Sequence, residues 1–533
     1  MIQNPVLKGF NPDPSFCRVG EDYYLATSTF EWYPGVQIFH SRDLVNWKLV
    51  ARPLNRAALL DMRGNPDSCG IWAPCLSHAD GQFWLVYTNV RRFDGAFKDA
   101  PNYITTCATI DGDWSDPWFV NSSGFDPSLF HDDDGRKWFV QMRWNHRWPG
   151  TGCNSAHDAF DGIILQEWSP EAGLTGPCVN IYAGTDRGLT EAPHLFKRHG
   201  YYYLTTAEGG TGYDHAVTLA RSRHIAGPYE THPDKFVLSA AGTNGPIQRT
   251  GHGQYVETHW GDCYHSFLLG RPIAGPDGTG RYCPLGRETG LERVVWRDDW
   301  LYLEQGGLVV RADVPAPTNA KPVPDIAVER LFGAVLPAEF QWLRTPYPDR
   351  IFRTEPDALV LIGRESVGSW FEQALVARRQ EHHSYSAETA LEFDPLTYQQ
   401  GAGLTTYYNR FKFHAVVLSH EVGKGRVLRV MCCPGNWPGG ELVYPAGQVV
   451  LNTGPVALRV VVDQARQQFY WRQTGDWQPI GPMLDASVIS DEGGVGEHGS
   501  FTGAFVGMLA YDLTGQGREA RFARFGYRPA IIG

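Results

Sequence analysis

Three acidic residues in the first half of the chain sit in similar settings. They are Asp13 in Asn11-Pro12-Asp13-Pro14-Ser15, Asp126 in Gly124-Phe125-Asp126-Pro127-Ser128, and Glu191 in Thr190-Glu191-Ala192-Pro193-His194. Acids gathered in one concave site repel one another and lose hydration, so their pKa values separate. One member can then protonate a leaving oxygen while another activates water, which is what cleavage of a glycosidic bond requires. A lone Asp-Pro more often satisfies turn amides, and such acids also bind calcium. What sets these three apart is recurrence at matched places in a repeat.

The repeat is a turn pair followed by aromatics and β-formers. Its copies are Gly20-Glu21-Asp22-Tyr23-Tyr24-Leu25, Asp80-Gly81-Gln82-Phe83-Trp84-Leu85, Asp134-Gly135-Arg136-Lys137-Trp138-Phe139, His199-Gly200-Tyr201-Tyr202-Tyr203-Leu204 and Gly261-Asp262-Cys263-Tyr264-His265-Ser266. The period is about sixty residues, a spacing that marks repeated supersecondary units. Each copy predicts a hairpin turn entering the second strand of a four-stranded unit. Five units predict an all-β fold led by a five-bladed β-propeller, with the first strand of each blade beside a central channel. A β-sandwich also turns often, but not with this long period. The segments just upstream of the five phrases then bring Asp13, Cys75, Asp126, Glu191 and His252 to one funnel.

The expected propeller spans residues 1–313. Residues 314–325 include Val314-Pro315-Ala316-Pro317 and Pro322-Val323-Pro324, a stiff linker. Residues 326–533 carry strand-like runs such as Leu458-Arg459-Val460-Val461-Val462 without the long period, and are expected to form a β-sandwich. The 18 Trp, 24 Tyr and 27 Phe are first a sign of β packing. A net charge of −11 with no basic block argues against nucleic acid. No apolar run is long enough to span a membrane. The start, Met1-Ile2-Gln3-Asn4-Pro5, lacks the features of a signal peptide, so a cytoplasmic location is expected. The ten cysteines show no Cys-x-x-Cys spacing and are expected to be buried filler.

Several motifs in order resemble glycoside hydrolase family 43, and more narrowly its two-domain β-xylosidase/α-L-arabinofuranosidase type. They are Asn11-Pro12-Asp13-Pro14-Ser15, Phe30-Glu31-Trp32-Tyr33-Pro34-Gly35, Gly70-Ile71-Trp72-Ala73-Pro74, Thr190-Glu191-Ala192-Pro193-His194, Cys283-Pro284-Leu285-Gly286-Arg287-Glu288-Thr289 and, near the end, Phe501-Thr502-Gly503-Ala504-Phe505. The resemblance implies inversion, with Asp13 as general base, Glu191 as general acid and Asp126 as the acid that tunes Glu191. Inversion needs the base and acid carboxyls roughly 6.5–9.5 Å apart. It also implies sugar contacts by Arg287, His252, Thr206 and the aromatic walls Phe30, Trp72, Phe125 and Trp144. Phe501, after the glycine-rich stretch 491–499, is the candidate that closes the site. A closed site implies exo release of xylose from the non-reducing end of xylo-oligosaccharides.

No cofactor is expected to be required. In relatives the histidine position can face a hydrated cation, which leaves calcium open near His252 without a dedicated metal site. The family usually has an acid where this chain has Cys75, so any interaction of that acid is in doubt. Glu208 is a rival acid, ranked below Glu191. The readings left open are an α-L-arabinofuranosidase or dual-activity enzyme, a non-catalytic carbohydrate-binding propeller, and assembly as a homo-oligomer.

Overall fold

Runs such as Asp22–Thr27 and Gln82–Val90 are rich in aromatic and branched residues. These side chains fit a pleated, half-buried surface, and the tight turns between runs let neighbours pair antiparallel. The computed structural model describes residues 1–147, 159–445, 447–494 and 500–530. Among these, the only helical pieces are two 3₁₀ turns, Pro348–Arg350 and Ala486–Val488. No described helix is long and apolar enough to cross a membrane.

Five antiparallel sheets form the blades of a propeller. In each, the repeated phrase opens the second strand, as the sequence predicts. Asp22–Thr27, Gln82–Val90, Lys137–Trp144, Tyr201–Glu208 and Cys263–Gly270 pair with the inner strands Ser15–Val19, Cys75–Ala79, Ser128–His131, Glu191–Arg198 and Tyr255–Glu257. The chain start closes the ring. Ile2–Gln3 pairs with Asp313–Val314, and the Val6 N–H reaches the Thr289 carbonyl at 2.8 Å.

The remainder is a β-sandwich of two eight-stranded sheets, packed over residues such as Leu404, Val416, Val460, Phe469 and Phe522. One of these sheets takes Trp32–Tyr33 of the propeller region as its edge strand, paired with Phe340–Leu343. The two bodies therefore share a sheet. Phe10, Phe30, Trp32, Tyr407 and Phe505 fill the joint, with the Trp32 and Phe505 rings stacked 3.6 Å apart. Burying each such ring stabilises the joint by roughly 1.5–3 kcal/mol. Residues 315–327 carry no strand and lie along blade one. The Val323 N–H donates to the Asn46 side chain at 2.9 Å, and Lys8 pairs with Asp325.

Eight of the nine described cysteines are buried, but Cys178 is exposed. It sits on Gly173–Tyr182, the outer strand of blade three, where no further sheet covers it. Cys153 lies outside the described residues. Cys432 enters the sandwich core and Cys433 the interdomain core, because successive strand side chains alternate.

Candidate active site

The residues that enter the inner strands shape the channel mouth. Asp13 and Asp126 both take left-handed backbone, φ 57° and 53°, each followed by a proline and then the serine that opens the strand. That conformation is uncommon outside glycine, and Asp is among the side chains that tolerate it best. Ala192 and His252 hold the same conformation in blades four and five, with φ 52° and 42°. The aligned residues are thus Pro14, Pro74, Pro127 and Pro193. Glu191 stands one residue ahead of the Asp13 position, and Cys75 two residues past it.

That offset removes Cys75 from the funnel. It pairs opposite Val86, as Ser15 does opposite Ala26. Its thiol packs among Leu129, Phe139 and Trp168 between blades two and three, where burial pushes it up to about 11.

The three acids converge on one pocket. Asp13 is buried and fully engaged. Its Oδ1 accepts from Arg287 Nη1 at 2.7 Å, its Oδ2 accepts from the Ser28 hydroxyl, and His252 Nδ1 lies 3.5 Å from Oδ1. Burial and the charge of Asp13 push Glu191 up to about 8, with Arg287 and Lys98 opposing. Asp126 is also driven well above the ordinary carboxylate range, by burial and then by Glu191 and Asp13, although the Ala192 N–H stabilises its ionised form. An ion-paired Asp13 therefore faces a Glu191 that retains its proton at neutrality and an Asp126 raised above the ordinary carboxylate range. This is the division of roles that acid–base hydrolysis needs.

The pocket holds about 250 Å³ and is mostly apolar. Phe30, Trp72, Phe125, Trp144, His252, Arg287 and Phe501 all line it, as expected from the resemblance. Trp72 stands edge-on to Phe125 at 5.1 Å and to Phe501 at 6.2 Å. Phe501 comes from the sandwich and is fixed to the propeller, because its N–H donates to Ser68 Oγ at 3.2 Å and its carbonyl accepts from Arg287 Nη2 at 2.9 Å. Of the glycine-rich stretch before it, residues 495–499 lie outside the described residues.

Thr206 does not line the pocket. Alternation along Tyr201–Glu208 turns its hydroxyl to Thr218 on the neighbouring strand. Glu208 is taken up structurally, accepting from the Thr185 N–H at 2.8 Å and from the Thr185 and Thr190 hydroxyls. Sequence reasoning missed Phe93, Lys98, Phe160 and Thr211, which do line the site. Lys98 comes from the loop between the second and third strands of blade two. Its ammonium sits 4.1 Å from the Trp144 ring, and burial pulls it down to about 8. No repeat marks that loop, so only the fold reveals it.

Around His252 the wall is imidazole. His194 lies 6.5 Å away between ring centroids, and burial pulls His194, His215 and His252 each down to about 3. Gly251 is required here, since a Cβ on it would meet the His215 ring at 2.0 Å. Calcium takes oxygen ligands. Among the described residues, no group of three or more His, Cys, Asp or Glu is placed to hold a metal ion. These neutral rings are nitrogen donors and form no direct calcium cage.

Comparison with known proteins agrees with this geometry. The family model for glycosyl hydrolases family 43 matches residues 2–301. The model for the beta xylosidase C-terminal concanavalin A-like domain matches residues 333–528. Xylosidase/arabinosidase 43B of Humicola insolens is 56% identical, over 99% of this chain and 98% of its own. The beta-xylosidase of Bacillus subtilis (strain 168) is 46% identical over 99% of each. The crystal structure of xylan beta-1,4-xylosidase from Bacillus halodurans C-125 superposes with a TM-score of 0.94 at 45% identity, covering 99% of this chain and 100% of that one.

Proposed function

The chain belongs to glycosyl hydrolases family 43, and on that premise we propose that it is an exo-acting β-1,4-xylosidase. It releases xylose from the non-reducing end of xylo-oligosaccharides with inversion. The observation that carries this reading is the pairing of an Arg287-held Asp13 with a Glu191 raised to about 8 in one small pocket. Drug-sized ligands occupy pockets of about 300–1,000 Å³, so about 250 Å³ suits a single sugar ring. The aromatic walls pack on its C–H faces.

Asp13 takes a proton from a water, which attacks the anomeric carbon from the face opposite the leaving group. Glu191 gives its proton to the departing oxygen, so the C–O bond breaks without releasing an alkoxide. Arg287 pairs with Asp13 and orients it. Asp126, buried beside Glu191 and raised by burial and by the charge of Glu191, takes the role of the third acid that orients the proton donor.

The test is turnover of nitrophenyl β-xyloside against nitrophenyl α-L-arabinofuranoside, with Asp13→Asn and Glu191→Gln as controls. NMR of the first-formed xylose should show the α-anomer, and a first-formed β-anomer would overturn inversion. Sugar binding by the wild type and both variants with no turnover of either glycoside would favour a non-catalytic binding propeller instead. The name of the Humicola relative covers both sugars. That favours a second reading, activity on α-L-arabinofuranosides in the same pocket.

A further inference from the structure

A second cavity, of about 520 Å³, lies where blade one, residues 322–325 and the sandwich meet. Two arginines reach it from different bodies, Arg52 after the last strand of blade one and Arg379 at the end of Ala374–Arg379 in the sandwich. Arg379 is 5% exposed. It donates through Nε to the Phe10 carbonyl and through Nη1 to Gln341 Oε1 at 2.5 Å and Gln37 Oε1 at 3.3 Å. Its Nη2 has no partner among the described residues. Arg52 donates to the same Gln37 Oε1 through Nε at 3.1 Å and Nη2 at 2.7 Å.

Two guanidinium groups thus share one neutral acceptor. The carboxylates of this wall are engaged elsewhere: Glu339 by Arg330, Glu381 by Arg378, and Asp325 by Lys8 and His382. Among the described residues, neither Arg52 nor Arg379 pairs with a carboxylate. Buried like charges without a counter-ion are costly. Burial pulls Arg52 down to about 10 against the charge of Glu339, and burial and then Arg52 pull Arg379 well below its ordinary range against that of Glu381. Guanidinium forks match planar or tetrahedral oxyanions, and Trp47 lines the same cavity.

We propose that this cavity is an oxyanion site, in which a carboxylate or a phosphate accepts hydrogen bonds from Arg52 and Arg379 and is held between propeller and sandwich. The site is separate from the sugar pocket and does not depend on the substrate assigned to it.

The experiment is thermal melting of the full chain at fixed ionic strength in chloride, in inorganic phosphate and in glucuronate, for the wild type, Arg52→Gln and Arg379→Gln. Either oxyanion should raise the melting temperature saturably by a few degrees over chloride in the wild type. The rise should be mostly lost in both variants, while xyloside turnover by Arg52→Gln in chloride stays unchanged. A rise with glucuronate alone identifies a sugar acid as the occupant, and one with phosphate alone or with both identifies the oxyanion itself. Arg52 is only half-buried, so its variant decides the matter if Arg379→Gln does not fold. No rise over chloride, or an equal rise in Arg52→Gln, overturns the proposal.

Discussion

Arg287 and Phe501 are tied across the domain boundary, the guanidinium Nη2 donating to the Phe501 carbonyl at 2.9 Å while Nη1 donates to Asp13 at 2.7 Å. One side chain therefore holds both Asp13 and the sandwich residue that lines the pocket beside it. Arg287→Ala should lower kcat by about 10²–10³-fold, the loss seen when a preorganised donor is removed. Arg287→Lys should recover little of it, because a single ammonium cannot span both acceptors. Steady-state kinetics on xylobiose, with melting curves to confirm folding, checks this.

Asp13→Asn and Glu191→Gln should separate by substrate. General acid and base groups each contribute about 10²–10⁴-fold. A nitrophenolate leaves without help from an acid, whereas a sugar alkoxide does not. Glu191→Gln should therefore keep much more turnover on nitrophenyl β-xyloside than on xylobiose. Asp13→Asn should lose both alike, since water must be activated in either reaction. Comparing kcat for the two substrates in each variant measures the split.

The blades were legible in the sequence because each one repeats a turn and an aromatic second strand, and local turn chemistry survives folding unchanged. The acids were legible because Asp-Pro precedes, and Glu-Ala-Pro opens, an inner strand. Finer placement was not. Residue type put Cys75 and Glu191 in line with Asp13, yet the prolines and left-handed residues set the register, leaving Glu191 one residue ahead and Cys75 two behind. Thr206 was misplaced for a related reason, since alternation decides which face a strand residue serves. Lys98 was invisible because it reaches the pocket only through packing of a blade-two loop against Trp144.

Cys75 should be dispensable to the chemistry. Its thiol, pushed up to about 11, stays protonated at neutrality and lies in an apolar cluster. Cys75→Ala should leave kcat/KM within about twofold while lowering stability by about 1 kcal/mol, the typical effect of a point substitution. Iodoacetamide should not inhibit the folded enzyme. Activity assays and melting of the variant test both statements.

Phe501→Ala should open the pocket. The ring contacts Trp72 and Phe93, with centroids 6.2 and 5.6 Å away. Each such aromatic pair contributes about 0.5–1.5 kcal/mol. Their joint loss should lower stability by about 1–3 kcal/mol, and kcat/KM on xylobiose should fall because the sugar loses one wall of its pocket. The fall should lie mainly in KM, because Asp13 and Glu191 keep their positions. Kinetics on xylobiose and on polymeric xylan, where the wild type should be slow, shows whether closure sets the exo preference.

The pH dependence follows from Glu191, which must hold a proton to donate it. With its carboxyl raised to about 8, kcat/KM should persist through neutrality and fall as pH rises through about 8. Lys98 opposes the rise, since a nearby cation favours the carboxylate. Lys98→Met should therefore move the alkaline limb to higher pH. The same shift acts on stability: the folded protein retains a proton that the unfolded chain releases near 4.5. The stabilisation is complete below that pH and is lost as pH rises through about 8. Glu191→Gln carries no such proton, so its melting temperature should decline less than that of the wild type between pH 5 and 9. Paired melting curves across that range measure the difference, and parallel declines would show that Glu191 titrates near its ordinary value.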